Sequence, residues 1–203
     1  MNVALLAGGI KDDKGIEVFW DKKSEEKWEY LFSGKIDKAE EIRIGINPGG
    51  DRQNRRWNPD NYAFVADKLI ERLNAKVVLL GGTGEEEISR HIENKMRNDA
   101  IDLAGKLTLS ELTYIISQFD LLVTNDSGPM HIAAAVKTPL VAIFGPENPA
   151  LMGPYTSTDF YRIVFKDVDC RPCTKKKCSR PVCLDMITPE EVSKKCFELL
   201  NNR

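Results

Sequence analysis

From residue 41 onward, short apolar runs alternate along the chain with segments of helical spacing. Continuous apolar runs predict buried strands at residues 42–47, 76–82, 100–105, 120–126 and 138–145. The segments between these runs favour helices, and a last helix is predicted at about 189–200. Alternating strands and helices imply right-handed crossovers and a parallel sheet. The pattern therefore predicts an α/β fold, a Rossmann-like parallel sheet with helices on both faces.

The pattern is weaker before residue 41. We predict an arm or interdomain linker at 1–41, with a short strand at 3–7 and a helix at 24–32 that carries Trp28 on its apolar side. A chain of 203 residues suffices for one good core with a small appendage. Residues 42–203 are accordingly predicted to form one domain.

The net charge and the apolar runs of the chain indicate which partners and which cell compartment to expect. The net charge of −2 at pH 7 lacks the basic excess of a nucleic-acid-binding surface. No apolar run is long enough to span a bilayer, and the first residues lack the basic start and the apolar length of a signal peptide. We therefore expect a cytoplasmic protein that does not bind nucleic acid.

Glycine and proline cluster in the turns that follow the predicted strands. These turns contain, in chain order, NPGG, GGTGE, AGK, NDSGP and FGPENP. All five lie at carboxyl ends of strands, where open α/β sheets bind ligands and where glycine lets the backbone approach a ligand closely. One such turn is also explained by ordinary turn preferences, whereas five together indicate a ligand crevice.

The turn at 125–131 gives the strongest indication of an anion site. Asp126 or Ser127 is placed to cap the following helix, and Pro129 suits its first turn because the N–H that proline lacks has no partner there. The backbone N–H groups from Gly128 onward are expected to face outward at the positive end of the helix dipole, where a phosphate binds. The alternative is a well-capped core helix without a ligand. The contacts predicted in this turn are Asp126, Ser127, Gly128, Pro129, Met130 and His131.

Two other turns add charged candidates. Arg55, with Arg52 and Arg56 beside it, follows the first strand and can neutralise a diphosphate. Glu85 opens the helix after GGTG, where its carboxylate can accept hydrogen bonds from two ribose hydroxyls. The plainer alternatives are a solvated basic loop and an acid favoured by the helix dipole. The further candidates at these turns are Asn47, Gly49 and Gly82.

Two familiar nucleotide-binding loops are absent from the sequence. It contains no G-x-x-x-x-G-K-[ST], and no G-x-G-x-x-G follows the first strand. The sequence therefore argues against a P-loop enzyme and against an NAD-dependent dehydrogenase.

Four of the five cysteines lie close together, at Cys170, Cys173, Cys178 and Cys183. Their spacing allows a tetrahedral structural zinc site, with a disulfide, an iron–sulfur site or free thiols as alternatives. Residues 166–180 carry six basic and two acidic side chains, a field that favours thiolates and attracts anionic lipid or acceptor phosphates. We expect zinc at these cysteines and peripheral contact with a membrane.

These motifs occur together in an order that resembles one known family. From about residue 42 to its end the chain contains NPGG, RRW-x-P, GG-x-x-E, LAGK, NDSGPMHIAAA, P-x-VAIFGP and C-x-PC-x-x-x-x-C…CL. The series resembles the C-terminal half of family 9 glycosyltransferases, the lipopolysaccharide heptosyltransferase family. Its most specific part is the NDSGPMH block with FGP downstream.

The resemblance implies the C-terminal domain of a GT-B fold, whose two Rossmann-like domains hold a nucleotide-sugar donor in the second and the acceptor in the first. The implied donor is ADP-heptose, the implied acceptor is a lipid-linked saccharide of the lipopolysaccharide core, and no cofactor is required for the chemistry. The backbone at 128–130 would meet the donor diphosphate, and Asp126 would lie beside the sugar phosphate. Arg55 would add positive charge, and Glu85 would approach the ribose.

The resemblance also implies parts that this sequence does not contain. Only about 40 residues precede the predicted domain, so we expect the acceptor domain and its acidic general base outside this chain, on the rest of a longer protein or on a separate partner. The chain alone is then expected not to transfer sugar. The competing hypotheses are a non-catalytic nucleotide-sugar-binding module or regulatory subunit, and a different GT-B enzyme such as a nucleotide-sugar epimerase.

Overall fold

A computed structural model describes residues 15–33, 41–173, 175 and 177–201. Its centre is a six-stranded sheet in the order β3-β2-β1-β4-β5-β6, and every neighbouring pair of strands is parallel. The strands are β1 Arg43–Asn47, β2 Lys76–Leu79, β3 Ile101–Asp102, β4 Leu121–Asn125, β5 Leu140–Phe144 and β6 Tyr161–Phe165. The parallel α/β sheet expected from the sequence is confirmed, and its strand order reverses between β1 and β4, the place where such sheets bind ligands.

Helices connect the strands and pack beside the sheet. They are α1 Lys22–Phe32, α2 Pro59–Leu73, α3 Glu86–Lys95, α4 Leu109–Ser117, α5 Gly128–Ala135, α6 Pro149–Met152, α7 Val182–Asp185 and α8 Pro189–Leu200, with 3-10 turns at Gln53–Arg55 and Thr158–Phe160. Within the described part of the chain, no helix combines the length and the apolar character needed to cross a membrane.

Successive residues of the strands enter two hydrophobic cores, one on each face of the sheet. Ile44 of β1 shares the first core with Val65 of α2 and Val192 of α8. Leu122 of β4 shares the second core with Ile116 of α4. Because side chains alternate along a strand, fully apolar strands need helices on both faces, as the sequence predicts.

Helix α1 packs against α4 and contributes to the second core. Trp28 of α1 is buried there, and the hydroxyl oxygens of Ser24 and Ser110 lie 2.8 Å apart at the start of the two helices. The helix predicted at 24–32 is therefore present and begins two residues earlier. The strand predicted at 3–7 lies outside the described residues.

Strand β3 is shorter than the predicted run at 100–105. The Asp102 carboxylate accepts hydrogen bonds from the Ala104 N–H at 3.0 Å and from the Ser89 hydroxyl at 2.5 Å. A carboxylate that bonds the backbone two residues on bends the chain into a turn. The strand therefore ends at Asp102, although the residues that follow are apolar.

Candidate functional site

A cavity of about 710 Å³ opens at the carboxyl edge of the sheet, between the turns after β1, β2 and β4 and the start of α4. This volume falls within the usual range of small-molecule sites. Nine of the eleven residues predicted as ligand contacts line the cavity, and Gly49 and Met130 are the two that do not. The nine are Asn47, Arg55, Gly82, Glu85, Asp126, Ser127, Gly128, Pro129 and His131.

Helix α5 begins at the cavity wall, and no side chain of the described residues caps its first turn. Ser127 occupies the N-cap position, but its hydroxyl lies 3.3 Å from Asn47 Nδ2 and 3.1 Å from Thr124 Oγ1. The predicted capping by the side chain of Asp126 or Ser127 is therefore wrong. Since the first turn of a helix lacks intrahelical acceptors, its N–H groups are left to other partners, at the positive end of the dipole.

The N–H group and the side chain of Met130 do not face the cavity as the sequence predicts. Its N–H already donates to the Ser127 carbonyl at 3.1 Å, and its side chain is fully buried in the second core. The predicted outward-facing N–H is therefore partnered within the first turn. Met130 anchors α5 to the sheet, while Gly128 and His131 stay at the cavity wall.

Two arginines and two acids form a group that we call the charge quartet: Arg55 and Asp126 line the cavity, and Arg52 and Glu147 lie behind them. Arg55 Nη1 lies 3.2 Å from Asp126 Oδ2, and Arg55 Nη2 lies 2.5 Å from Glu147 Oε1. Arg52 Nη1 lies 3.3 Å from the same oxygen of Glu147. Asp126 Oδ2 and Arg55 Nε are buried, and neither has a well-aligned hydrogen bond to any described residue.

Burial dominates the electrostatics of Asp126. It raises the pKa of this carboxyl and outweighs the guanidinium of Arg55, which lowers the pKa, while the neighbouring Glu147 raises it further. A buried carboxyl with a raised pKa in a cleft is typical of functional sites.

Glu147 belongs to this site but was missed by sequence reasoning. It lies in the FGPENP turn after β5, which the sequence analysis selected for its glycine and prolines. Arg55, its partner, stands 92 positions earlier in the chain. No local pattern indicates that these two side chains meet.

Glu85 ties the turns after β1 and β2 together. Its Oε1 accepts from the Gly50 N–H at 2.7 Å and from Arg56 Nη2 at 3.4 Å, and its Oε2 accepts from the Gly82 N–H at 2.8 Å. A Cβ at Gly49 would lie 2.1 Å from Oε2, so any larger residue would push this carboxylate from its present position. A carboxylate has about four acceptor positions, and three are used here. One position therefore remains for a ligand hydroxyl, and a second hydroxyl would have to replace one of these donors.

The buried amide of Asn125, at the end of β4, holds the turn after β1 in place. Its Oδ1 accepts from the Trp57 N–H at 3.1 Å and from the Tyr62 hydroxyl at 2.8 Å. Its Nδ2 donates to the carbonyls of Pro48 at 2.7 Å and Gly49 at 3.0 Å. Burial raises the pKa of Tyr62 well above its ordinary value, which keeps the phenol protonated as a donor. Asn125 belongs to the NDSGP turn, but no local pattern predicts that its side chain holds the turn after β1.

All five cysteines are free thiols. Cys170 and Cys178 are exposed, Cys173 is half-buried, and Cys183 and Cys196 are buried. Among the residues that the structure describes, no three His, Cys, Asp or Glu side chains are grouped to hold a metal ion, so the predicted zinc site is not supported. Burial raises the pKa of Cys183, which opposes the thiolate expected from the basic surroundings.

Curated relatives of this chain are heptosyltransferases. Lipooligosaccharide heptosyltransferase 2 of Campylobacter jejuni is 32% identical over 166 residues, which cover 78% of this chain and 51% of the relative. The chain thus spans about half the length of this relative.

Two solved structures of glycosyltransferases also superpose on this chain. A family 9 glycosyl transferase from Veillonella parvula superposes with a TM-score of 0.84 at 26% identity, over 100% of this chain and 58% of that one. The ADP-heptose LPS heptosyltransferase II of E. coli superposes with a TM-score of 0.74 at 28% identity, over 92% of this chain and 54% of that one.

The model of one family, glycosyltransferase family 9 (heptosyltransferase), matches residues 10–183. This match begins well before residue 42, where the resemblance of the sequence motifs begins. It covers most of the 203 residues and every turn that lines the cavity. The chain therefore belongs to glycosyltransferase family 9.

Proposed function

We propose that this chain is the donor-binding half of a glycosyltransferase that transfers a heptosyl or hexosyl group from a nucleotide-sugar, with ADP-heptose as the leading donor. One observation carries the proposal: the uncapped start of α5, Arg55 and Glu85 surround one cavity at the carboxyl edge of a parallel sheet. Membership of the family supports the reaction class, and the E. coli relative is named for ADP-heptose.

The proposed binding mode follows from the chemistry of the cavity wall. The diphosphate lies at the first turn of α5, where the helix dipole and unpaired N–H groups attract an anion. Arg55 adds a charged donor beside it. Glu85 uses its remaining acceptor position for one ribose hydroxyl, and Gly49, Gly82 and Asn47 shape the turns that admit the nucleotide.

The transfer breaks the bond between the anomeric carbon of the sugar and a diphosphate oxygen, which leaves with the electron pair. An acceptor hydroxyl oxygen forms the new bond to that carbon and gives its proton to a base. The start of α5 and Arg55 stabilise the negative charge that develops on the leaving diphosphate. We place the base and the acceptor domain in a part of the enzyme outside this chain, since the chain spans about half of its relatives.

We further propose a lipid-linked saccharide of the lipopolysaccharide core as the acceptor, used at the cytoplasmic face of the membrane. The relatives named above include lipooligosaccharide and LPS heptosyltransferases. The basic side chains within residues 166–180 suit contact with anionic headgroups.

Calorimetric titration of ADP and pyrophosphate tests the proposal. Gly128→Val places a branched side chain at the start of α5, where an added Cβ meets no described atom within 4 Å, so the fold tolerates it while the ligand is blocked. We expect affinity for both ligands to fall at least about tenfold, or 1.4 kcal/mol, with little change in melting temperature. Asn94→Val, on the exposed side of α3, is the control and should leave affinity unchanged. Wild-type affinity in a folded Gly128→Val variant contradicts the proposed diphosphate position.

A further inference from the structure

Glu147 is an acid of the charge quartet to which the binding mode above gives no role. We propose that Glu147 is a built-in competitor for the diphosphate: it neutralises Arg52 and Arg55 until a ligand binds, and the diphosphate then displaces it. Glu147 thereby sets how strongly the cavity selects ligands by their charge. This inference rests on the proposed function, because a diphosphate must reach Arg55.

The three arginines of the turn after β1 all have acidic partners. Arg55 contacts Asp126 and Glu147, and Arg52 contacts Glu147. The remaining arginine of the turn after β1, Arg56, contacts Glu85 at 3.4 Å. An entering diphosphate therefore competes with the carboxylates that already neutralise these cations.

Glu147 is the carboxylate that is most easily displaced. The Asp126 side chain is 3% exposed and enclosed in the protein, and the Glu85 carboxylate is held by two backbone N–H groups. The Glu147 carboxylate has 21% of its side chain exposed and, within the described part of the chain, is bonded only by the two arginine side chains. It can swing into solvent without leaving a backbone donor unpaired.

Hydrogen bonds that do not involve the Glu147 side chain hold the backbone around this residue. Its carbonyl accepts a hydrogen bond from the Arg171 guanidinium, and the carbonyl of the preceding Pro146 accepts from the Cys173 N–H at 3.1 Å. A substitution at Glu147 keeps both bonds, because they use main-chain oxygens. Such a variant changes the carboxylate and leaves the turn in place.

Binding of pyrophosphate, ADP, AMP and adenosine should be measured by calorimetry for the wild type, Glu147→Gln and Glu147→Ala. We expect both variants to bind pyrophosphate and ADP about fivefold more tightly, the size expected for an ion pair of this exposure. AMP should gain less, and adenosine should be unaffected. Glu93→Gln removes the same charge from the exposed far end of α3 and is expected to change nothing.

Several results would overturn the inference. Unchanged affinity would show that Glu147 does not compete, and weaker affinity would show that it holds Arg55 in place for the ligand. An equal gain in Glu93→Gln would assign the effect to net charge alone. If the wild type does not bind ADP, the proposed function itself fails. If ADP binds and Gly128→Val abolishes this binding while the Glu147 variants show no gain, only the present inference fails.

Discussion

At the scale of single residues, Asn125 and Asp126 are neighbours in the chain that differ in how completely their buried side chains are hydrogen-bonded. Each end of the Asn125 amide makes two hydrogen bonds, and the residue is fully buried. Asp126 is also buried, yet its Oδ2 faces Arg55 without a well-aligned hydrogen bond to any described residue. The first side chain stabilises the turn after β1, and the second is a charge whose burial is incompletely compensated.

Replacing Asn125 with alanine should lower the free energy of unfolding by about 3 kcal/mol or more, since each buried group left unpaired costs about 1–3 kcal/mol. Urea denaturation measures this loss. ADP affinity should fall as well, because the carbonyls of Pro48 and Gly49 lose the donor that positions their turn. Asn94→Ala, at an exposed position of α3, serves as the control. A loss below about 1 kcal/mol would argue against the network.

Asp126 should make stability depend on pH. Burial raises its pKa in the folded state above the ordinary value of 3.8, so the native state binds more protons than the unfolded state between those two values. Stability therefore falls as pH rises through this window, and the penalty persists above it. The amide introduced by Asp126→Asn does not titrate, so the stability of this variant relative to the wild type should increase with pH.

Denaturation curves of both proteins, taken at several pH values from about 4 to 7, check this sign. The groups that also act on Asp126 are Arg55, Glu147, His131 and Arg52. A difference between the two proteins that decreases with pH would show that Arg55 outweighs burial, and a flat difference would show that the two effects cancel.

At the scale of elements, close packing of β1 on the end of α4 positions the cavity. Gly45 of β1 faces the ring of Phe119, and a Cβ there would lie 2.4 Å from the ring atom Cε2 and 3.0 Å from Leu122 Cδ1. Phe119 follows α4, whose start lines the cavity and whose Ser110 binds the start of α1. The absence of a side chain at Gly45 therefore lets this layer approach the sheet.

Gly45→Ala should destabilise the protein by about 1–3 kcal/mol, the usual cost of overpacking a core. Gly128→Ala is a matched control, because no described atom lies within 4 Å of its added Cβ. Urea denaturation of the two variants measures the difference. Equal stability of Gly45→Ala and wild type would mean that Phe119 moves aside without penalty.

At the scale of the whole molecule, we propose that the chain supplies the donor-binding part of the enzyme. In the proposed binding mode the cavity holds a diphosphate and a ribose, while the chain spans about half of the two heptosyltransferases from C. jejuni and E. coli described above. Proximity of donor, acceptor and base contributes much of the rate in group transfer. A half that binds only the donor is thus expected to bind without turnover.

We expect the purified chain to transfer no measurable sugar from ADP-heptose to a heptose-acceptor form of the lipopolysaccharide core. Mass spectrometry of the acceptor detects the product, and a full-length heptosyltransferase is the positive control. Turnover by this chain alone would mean that its own residues include the base. Donor binding that never leads to transfer, even beside an acceptor domain from the same protein, would favour the alternative of a non-catalytic binding module.

The sequence by itself determined the parallel sheet, the chain order of its first five strands and the edge at which the cavity lies. These features depend on spacing over a few residues: continuous apolar strands, helical stripes, and glycine or proline in the turns. For the same reason the sequence located Gly128, Glu85 and Arg55 at one site.

Only the tertiary structure decided which groups at that site are already paired. The Ser127 hydroxyl contacts Asn47 and Thr124 instead of capping α5, and Glu147 meets Arg55 across 92 positions of the chain. The spacing of the cysteines allowed a metal site that the arrangement of the described residues does not support. Such pairings depend on how the strand order and the loop paths bring distant side chains together. Local sequence patterns do not predict these long-range contacts.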